Sequence, residues 1–400
     1  MGLLTGVRIL SIEQYGAGPF GTQLLAGLGA EVIKVEQPRE HGDVSRQVGP
    51  CFDPALPESA QSLFFQSLNC GKKSICLNLM HEEGRRLLRE LASSCDVVAN
   101  NLRGDVPQRL GLTYAQLSSA NARLVCAHLS GYGRDGERAN WPGYDYLMQA
   151  EAGYFSLTGE PDSPPARMGL SIIDYMSGVM LSLAITSALL DVQRGGVGRD
   201  VDVALFDVAL FNLNYLASWY LNQGVETSRQ PRSAHPSLTP CQLYRTRDGW
   251  IYLMCNKEKF WLKLCERLQR PQWLTDARFA GFAQRLEHRE ALQALLDEAL
   301  SERTTAEWLA LFAGQVPAAP ILSVAQALDS PFAHNRGNIA TAQTAGSQPL
   351  RMVRSPLRVG DADDGPMSAA PTLGQHTDEI LLGLGIDAAR QAKLKAIGVL

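Results

Sequence analysis

Val7-Arg-Ile-Leu-Ser-Ile-Glu-Gln-Tyr-Gly-Ala-Gly-Pro-Phe-Gly-Thr-Gln-Leu-Leu-Ala-Gly-Leu-Gly-Ala-Glu-Val-Ile-Lys-Val-Glu36 is the stretch that decides the fold. Val7 to Ile12 is a short apolar run that predicts a strand, and Ala30 to Val35 predicts a second. Between them Pro19 to Leu28 reads as a helix, with proline in its first turn, where a missing N–H costs nothing. That is a βαβ unit. The pattern recurs: Ser74 to Leu79 is strand-like, His81 to Ser93 is an amphipathic helix, and Cys95 to Ala99 and Leu124 to Ser130 are further strands. Strands alternating with helices predict an α/β fold with a parallel, doubly wound sheet.

Gly16-Ala-Gly18-Pro-Phe-Gly21 is a literal G-x-G-x-x-G between strand and helix, with Glu36 closing the next strand. Taken alone it is the dinucleotide fingerprint and points to a nicotinamide or flavin oxidoreductase of Rossmann type. Pro19 removes a backbone donor at the helix start, Glu36 follows the last glycine by only fifteen residues, and no hydride-transfer constellation accompanies the motif. The competing reading is a glycine-rich turn open to any phosphate-bearing or anionic ligand.

Further along, Arg167-Met-Gly-Leu-Ser-Ile-Ile-Asp-Tyr-Met-Ser-Gly-Val-Met-Leu strands a single carboxylate, Asp174, in an apolar helix with no other charge before Asp191. Burying an unpaired carboxylate is expensive, so such a residue is either paired structurally or used chemically. It could be the N-cap of a helix beginning at Tyr175. It could equally be reactive, and the two roles are compatible, since a carboxylate at a helix start lies beside backbone donors able to stabilise an oxyanion. Ser171, Ser177, Gly178, Ser182 and Thr186 dilute the stretch too far for a membrane span, so it reads as a core helix.

The remaining chain sets broad limits. Four hundred residues imply two domains. A net charge of −4 with scattered Lys and Arg disfavours nucleic-acid binding. The N-terminus has no secretory signature, so a cytoplasmic protein without membrane attachment is expected. Eight cysteines without a Cys-x-x-Cys pair read as free thiols, and seven dispersed histidines give no expectation of a bound metal. Helical blocks are expected over Asp174–Arg194 and Asp202–Asn222, then a polar loop to Pro236. Paired strands follow at Gln242–Arg245 and Gly249–Cys255, with mostly helical sequence over Glu258–Phe312. In the tail Met352–Leu357 reads as a strand, Asp361–Pro371 as a loop and His376–Leu384 as a short helix that packs back on the first domain. No Gly-x-Ser-x-Gly elbow supports a serine hydrolase. Arg39, Lys72, Lys73, Arg103 and Arg109 fall in loops near predicted strand ends, where open α/β sheets bind ligands, and together suit a ligand with several phosphates.

With these features in hand the chain closely resembles the class III CoA-transferase family, which includes formyl-CoA and carnitine transferases and, as a branch, the α-methylacyl-CoA racemases. The carriers run nearly the whole length: Gly18-Pro19 with Leu28-Gly-Ala-Glu-Val-Ile-Lys-Val-Glu36 and Gly42-Asp43; Asn69-Cys-Gly-Lys-Lys-Ser74; Asn100 with Arg109-Leu-Gly111; Ser130-Gly-Tyr-Gly133; Asp174 with Gly178; Gly198-Arg-Asp-Val-Asp-Val203 with Asp207; Val316-Pro-Ala-Ala-Pro-Ile321; and Gly374-Gln-His-Thr-Asp-Glu379. The resemblance implies that Asp174 is a nucleophile. It would pass through a mixed anhydride and an aspartyl-CoA thioester, with neither ATP, metal nor tightly bound cofactor, and the CoA thioester as substrate.

It further implies that Gly16 and Ala17 offer N–H groups to the oxyanion and that Arg39, Lys72, Lys73, Asn100, Arg103 and Arg109 lie where CoA's nucleotide is held. Tyr132 would lie near the pantetheine and acyl group. The implied architecture is an interlocked homodimer, each chain with a large Rossmann-like CoA-binding domain from residues 1–222 and 335–400, a linker and active-site loop at 223–239, and a small α+β domain at 240–334. Where the racemases carry Gly-His-Asp this chain has Gly143-Tyr144-Asp145, so one acid/base group is missing and the racemase or epimerase reading is the weaker one. The loop Pro231–Pro240 lacks the glycine run of the formyl-CoA transferases, which counts against oxalate and formate; His235, Arg229 and Arg232 there could bind a second carboxylate. The expected partners are an acyl-CoA, succinyl-CoA among the candidates, and a small organic acid such as the C4 to C6 dicarboxylates itaconate, mesaconate or glutarate.

Overall fold

β1 (Arg8–Ile12) occupies the middle of a parallel six-stranded sheet. The computed structural model describes residues 2–360 and 367–400. β2 (Glu31–Glu36) and β3 (Lys73–Cys76) extend the sheet on one side, and β4 (Val97–Asn100), β5 (Val125–Ser130) and β6 (Arg199–Ala204) on the other, giving the order 3-2-1-4-5-6. All five pairings are parallel. This is the doubly wound order, in which the chain reverses direction of travel beside β1, so the loops after β1 and β4 diverge and leave a crevice at their C-terminal ends.

Central strands buried on both faces carry continuous apolar runs, as expected of a sheet covered by helices. Leu10, Ile33, Ile75, Val98 and Cys126 meet Leu87, Leu88 and Leu91 of the Glu82–Ala92 helix in one core. Leu381, Ile386, Leu394 and Val399 belong to the same core, so the tail does pack on the sheet. Its observed helices are Thr377–Gly383 and Ala388–Ala396, the second of which the sequence reading left out. β10 (Ile339–Ala342) and β11 (Leu350–Val353) form an antiparallel hairpin; of the expected loop Asp361–Pro371, residues 361–366 lie outside the described residues.

The chain divides into two compact units. The larger comprises Met1–Ala152, Gly169–Asn214 and Phe332–Leu400; the smaller comprises Gly153–Met168 and Tyr215–Pro331. The sequence reading put the large domain at 1–222 and 335–400 and the small one at 240–334, whereas the division falls after Asn214 and after Pro331, and two further differences accompany it. Gly153–Met168 belongs to the smaller unit, because Arg229 donates to the carbonyl of Pro164 at 3.1 Å and the Arg232 N–H donates to Glu160 at 2.9 Å. The helix expected over Asp202–Asn222 is instead strand β6 followed by helices Leu205–Asn212 and Tyr215–Gln223, broken where Asn214 turns left-handed (φ 48°). Within the smaller unit, β7 (Cys241–Arg245), β8 (Trp250–Met254) and β9 (Ala318–Pro320) form an antiparallel sheet over a core that includes Tyr244, Trp261, Phe279, Leu296 and Phe312. All eight cysteines are free, six of them buried.

Ile172–Gln193 is the single described helix long and apolar enough to span a bilayer. It is a core helix instead, packed on β5, β6 and the Ala17–Gly27 helix. The two helices cross at glycines: a methyl carbon on Gly21 would fall 2.6 Å from the Gly178 carbonyl oxygen, and one on Gly178 would fall 2.6 Å from the Ala17 oxygen. Ser182 reinforces the crossing by donating to the Gly21 carbonyl at 2.9 Å.

Candidate active site

The turn after β1 is held from both sides before the Ala17–Gly27 helix begins. Asn101, in the loop after β4, accepts from the Gln14 N–H at 2.9 Å and donates back to the Gln14 carbonyl at 2.7 Å. Tyr15 is left-handed (φ 68°), and its N–H donates to Asp43 Oδ1 at 3.0 Å. Behind that contact is a buried ionic assembly. Lys34 Nζ pairs with Asp43 at 2.8 Å and donates to the Glu13 carbonyl at 2.9 Å; Arg46 pairs with Glu36 at 2.6 Å; Lys72 pairs with Glu13 at 2.8 Å. Three carboxylates thus face three cations. Burial by itself raises the Glu13 and Asp43 carboxyls, but Lys72 and Lys34 beside Glu13, and Lys34 beside Asp43, more than offset it and hold both below the usual range.

Asp174 lies in the first turn of the Ile172–Gln193 helix and is 7% exposed. It does not cap that helix. The helix starts three residues earlier than one capped by Asp174 would, Ser171 at the cap position makes no side-chain capping bond, and the orphan N–H groups of Ile173 and Asp174 donate to Asp145 Oδ2 at 2.7 and 3.0 Å. Asp145 comes from a separate helix, Asp145–Glu151. Among the described residues nothing donates a hydrogen bond to the Asp174 carboxylate. A methyl carbon on Gly16 would fall 3.1 Å from Asp174 Cγ and overlap its Oδ2, so the backbone of the turn lies directly against the carboxylate.

Each glycine of the apparent dinucleotide fingerprint therefore answers to a neighbour in this chain. Gly16 makes room for Asp174, Gly18 for Asn101, and Gly21 for Gly178.

Burial, and after it the like charge of Asp145, push Asp174 from 3.8 up to about 7. The native state then binds this proton more tightly than the unfolded chain. The stability it contributes is complete below the unfolded value and is lost as pH rises through about 7, a span worth up to about 4 kcal/mol. Asp174→Asn, neutral at every pH, is expected to melt a few degrees above wild type at about pH 8, with the gap closing below about pH 5. Coincident melting curves at both pH values would show that the native carboxyl titrates normally.

Asp174, Gly16 and Ala17 line a groove of about 560 Å³ with Gln14, Asn101, Arg103, Gly131 and Tyr144. A second cavity of about 220 Å³ shares Gln14 and Leu102 and continues over the ends of β1 to β3, past Ile12, Val35, Gln37 and Leu77. Both lie at the C-terminal edge of the sheet.

The structure does not gather all the residues singled out in the sequence. Arg103 lines the groove with its guanidinium on Asp105 at 2.6 Å, and Arg109 reaches the same carboxylate at 3.3 Å. Arg39 is exposed and lies against Gly398. Lys72 is buried, and its three ammonium donors go to Glu13, the Pro19 carbonyl and Asn69, so it braces the turn instead of facing a ligand; burial pulls it down to about 8. Lys73 opens β3 and pairs with Glu31 and Glu379, which places its charge toward the N-terminal edge of the sheet. Asn100 is buried and bonds His128 Nδ1 at 2.8 Å. Tyr132 follows groove-lining Gly131, with its hydroxyl on Glu151 at 2.9 Å. His235 belongs to the smaller unit, stacked on Tyr215; burial and Arg289 lower its pKa, which disfavours a cationic role. In the same loop Arg232 is taken by Asp297 at 2.6 Å. Asn101, Asp43 and Asp145 were missed as site residues. The sequence signal for Asp43 and Asp145 was present in Gly42-Asp43 and Gly143-Tyr-Asp145, but their roles depend on distant backbone donors.

The family model described as CoA-transferase family III matches residues 4–377. The chain is 34% identical to an acetyl-CoA:oxalate CoA-transferase of Acetobacter aceti, over 91% of this chain and 90% of that one. It is 32% identical to a succinyl-CoA:mesaconate CoA-transferase of Haloarcula marismortui, over 97% and 98%. Among solved structures it is similar to a CAIB/BAIF family protein from Brucella suis, with a TM-score of 0.82 and 34% identity across 96% of this chain and 99% of that one.

Proposed function

The chain belongs to CoA-transferase family III, and from that membership we propose that it moves coenzyme A from an acyl-CoA, succinyl-CoA among the donors, to a small dicarboxylic acid through a covalent relay on Asp174. The observation that carries the reading is a buried carboxylate without a hydrogen-bond donor among the described residues, pressed against the Gly16 turn on the wall of a long groove.

The relay balances without redox change or net proton transfer. The Asp174 carboxylate attacks the donor thioester carbonyl, the C–S bond breaks, and a mixed anhydride forms as CoA leaves as thiolate. The thiolate attacks the aspartyl carbonyl, releases the donor acid and leaves an aspartyl-CoA thioester. The acceptor carboxylate displaces the thiolate to give a second anhydride, whose acceptor carbonyl the thiolate then attacks, freeing Asp174. Desolvation makes the ionised carboxylate a stronger nucleophile, and burial keeps water from the anhydrides. In this reading the Gly16 and Ala17 N–H groups, at the helix start on the groove wall, serve as donors to the tetrahedral oxyanions. Arg103 on the groove wall, with Arg109 on the same Asp105 carboxylate, supplies positive charge for the CoA phosphates in this reading.

A dicarboxylate acceptor is supported by the relatives that act on mesaconate and oxalate; the oxalate relative, at 34% identity, outweighs the missing glycine run in Pro231–Pro240 and returns oxalate to the acceptors tested. A racemase would need a second acid/base group beside Asp174, whereas the neighbouring Asp145 has both oxygens engaged. A cytosolic homodimer with interlocked chains is part of the same proposal, supported by the family and by apolar side chains exposed on the larger unit, such as Phe211 at 73% and Phe332 at 71%.

The test incubates the protein with acetyl-, succinyl- and propionyl-CoA against a panel of mono- and dicarboxylic acids, with new thioesters and an adduct on the Asp174 peptide followed by mass spectrometry. Exchange into succinate, mesaconate, itaconate, glutarate or oxalate is expected. Exchange into monocarboxylates alone would overturn the dicarboxylate assignment, and exchange with no adduct on Asp174 would overturn the relay.

A further inference from the structure

We propose that Asp145 is a positioning residue for this reaction: it caps the helix of Asp174 in Asp174's place, leaving the nucleophilic carboxylate free and setting its orientation and reactivity. The inference rests on the proposed role of Asp174 and deepens it. An acidic residue at a helix start ordinarily folds onto the first-turn N–H groups, which stabilises the helix and occupies the carboxylate. Here those donors are taken from outside, by Asp145 Oδ2 at 2.7 and 3.0 Å.

The clamp is itself held. Gln149 donates to Asp145 Oδ1 at 2.6 Å and to the Leu170 carbonyl at 3.1 Å, tying the Asp145–Glu151 helix to the segment entering the Asp174 helix. The approach depends on paired glycines, since a methyl carbon on Gly143 would fall 2.5 Å from the Gly131 Cα. The same arrangement sets the electrostatics. From the Asp145–Glu151 helix Asp174 faces Asp145, from its own helix Tyr175, and across the groove Tyr144 from the loop before Asp145. The Ala17–Gly27 helix offers neutral Gly16 and Ala17. In the Leu205–Asn212 helix, Leu205 lines the groove, while Asp207 lies with Arg134 and Asp202 around a separate cavity. Arg103, from the loop after β4, lines the same groove with its guanidinium on Asp105, and the charge on Asp145 opposes ionisation of Asp174 and makes the ionised form the stronger nucleophile.

Thioester exchange is measured against pH for wild type, Asp145→Asn, Asp145→Ala and Asp174→Asn, with folding followed by circular dichroism. Asp145→Asn keeps an acceptor and removes the charge, so the acid limb is expected to move down by about one pH unit. Asp145→Ala is expected to lose about 10²-fold in kcat with KM for the acyl-CoA within about threefold, because the carboxylate is no longer aimed. Partial recovery of kcat in Asp145→Asn separates aiming from general destabilisation. Wild-type pH profile and kcat in a folded Asp145→Asn, with Asp174→Asn inactive, would overturn this inference and leave the nucleophile standing. Exchange surviving in Asp174→Asn would overturn the nucleophile itself.

Discussion

Replacing Asp174 by alanine or asparagine is expected to cost on the order of 10⁴-fold or more in thioester exchange, because the covalent path has no second nucleophile to take over. In the larger unit the other groove-lining side chains are amides, aliphatics, Ser130, tyrosines and Arg103, and among them Asp174 is the one carboxylate. Its burial also makes the loss specific. Asparagine matches the shape of aspartate, so the variant should fold, bind acyl-CoA with unchanged affinity by calorimetry and fail to form the aspartyl adduct. Exchange within about tenfold of wild type would place the chemistry elsewhere. For the wild type, kcat/KM should rise with pH along an acid limb near about 7, the value that burial and Asp145 give the carboxyl.

Gly16→Ala is expected to be the most damaging change that touches no functional side chain. Gly16 has φ −103° and ψ −79°, a conformation open to alanine, so space and not backbone freedom demands glycine there. The added methyl would overlap Asp174 Oδ2, and the two helices cannot separate to admit it while Gly21 and Gly178 are in backbone contact. The carboxylate must rotate away from the oxyanion donors, a displacement of about an ångström that costs about 10²-fold in kcat. Overpacking adds a destabilisation of about 1–3 kcal/mol. Gly249→Ala, in the β7–β8 turn with nothing within 4 Å of the new methyl, serves as the control. Near-wild-type kcat in Gly16→Ala would show that the turn and the carboxylate part without consequence, and would remove Gly16 and Ala17 from the oxyanion role.

Much of the fold is readable locally because its strands and helices carry their own periodicity. The first βαβ unit and the strands at 73–76, 97–100 and 125–130 follow from apolar runs between turns. β6 is not readable this way. Arg199-Asp-Val-Asp-Val alternates charged and apolar residues at the sheet edge. Its carboxylates are matched by His128 at 2.8 Å and by Arg134, some seventy residues earlier in the chain, so in isolation the segment reads as the start of a helix. The site divides the same way. Asp174 stands out because an unpaired carboxylate among apolar residues is costly wherever it lies. Lys72 and Lys73 are adjacent and chemically alike, yet one is sealed under the Gly16 turn by three acceptors and the other reaches for Glu31 and Glu379.

By itself, then, the sequence determined the first five strands of the sheet with the helices between the earliest of them, the glycine-rich turn after β1 and the solitary carboxylate, since each is written in spacing, period or local cost. Tertiary structure alone decided what those features do. It turned three glycines that spell a dinucleotide motif into seats for Asp174, Asn101 and Gly178, and made Lys72 a brace. It also moved the cap of the Asp174 helix to Asp145. The reason is physical: a side chain's charge and hydrogen-bonding capacity are local properties, but the donors and acceptors that spend them come from segments far apart in the chain.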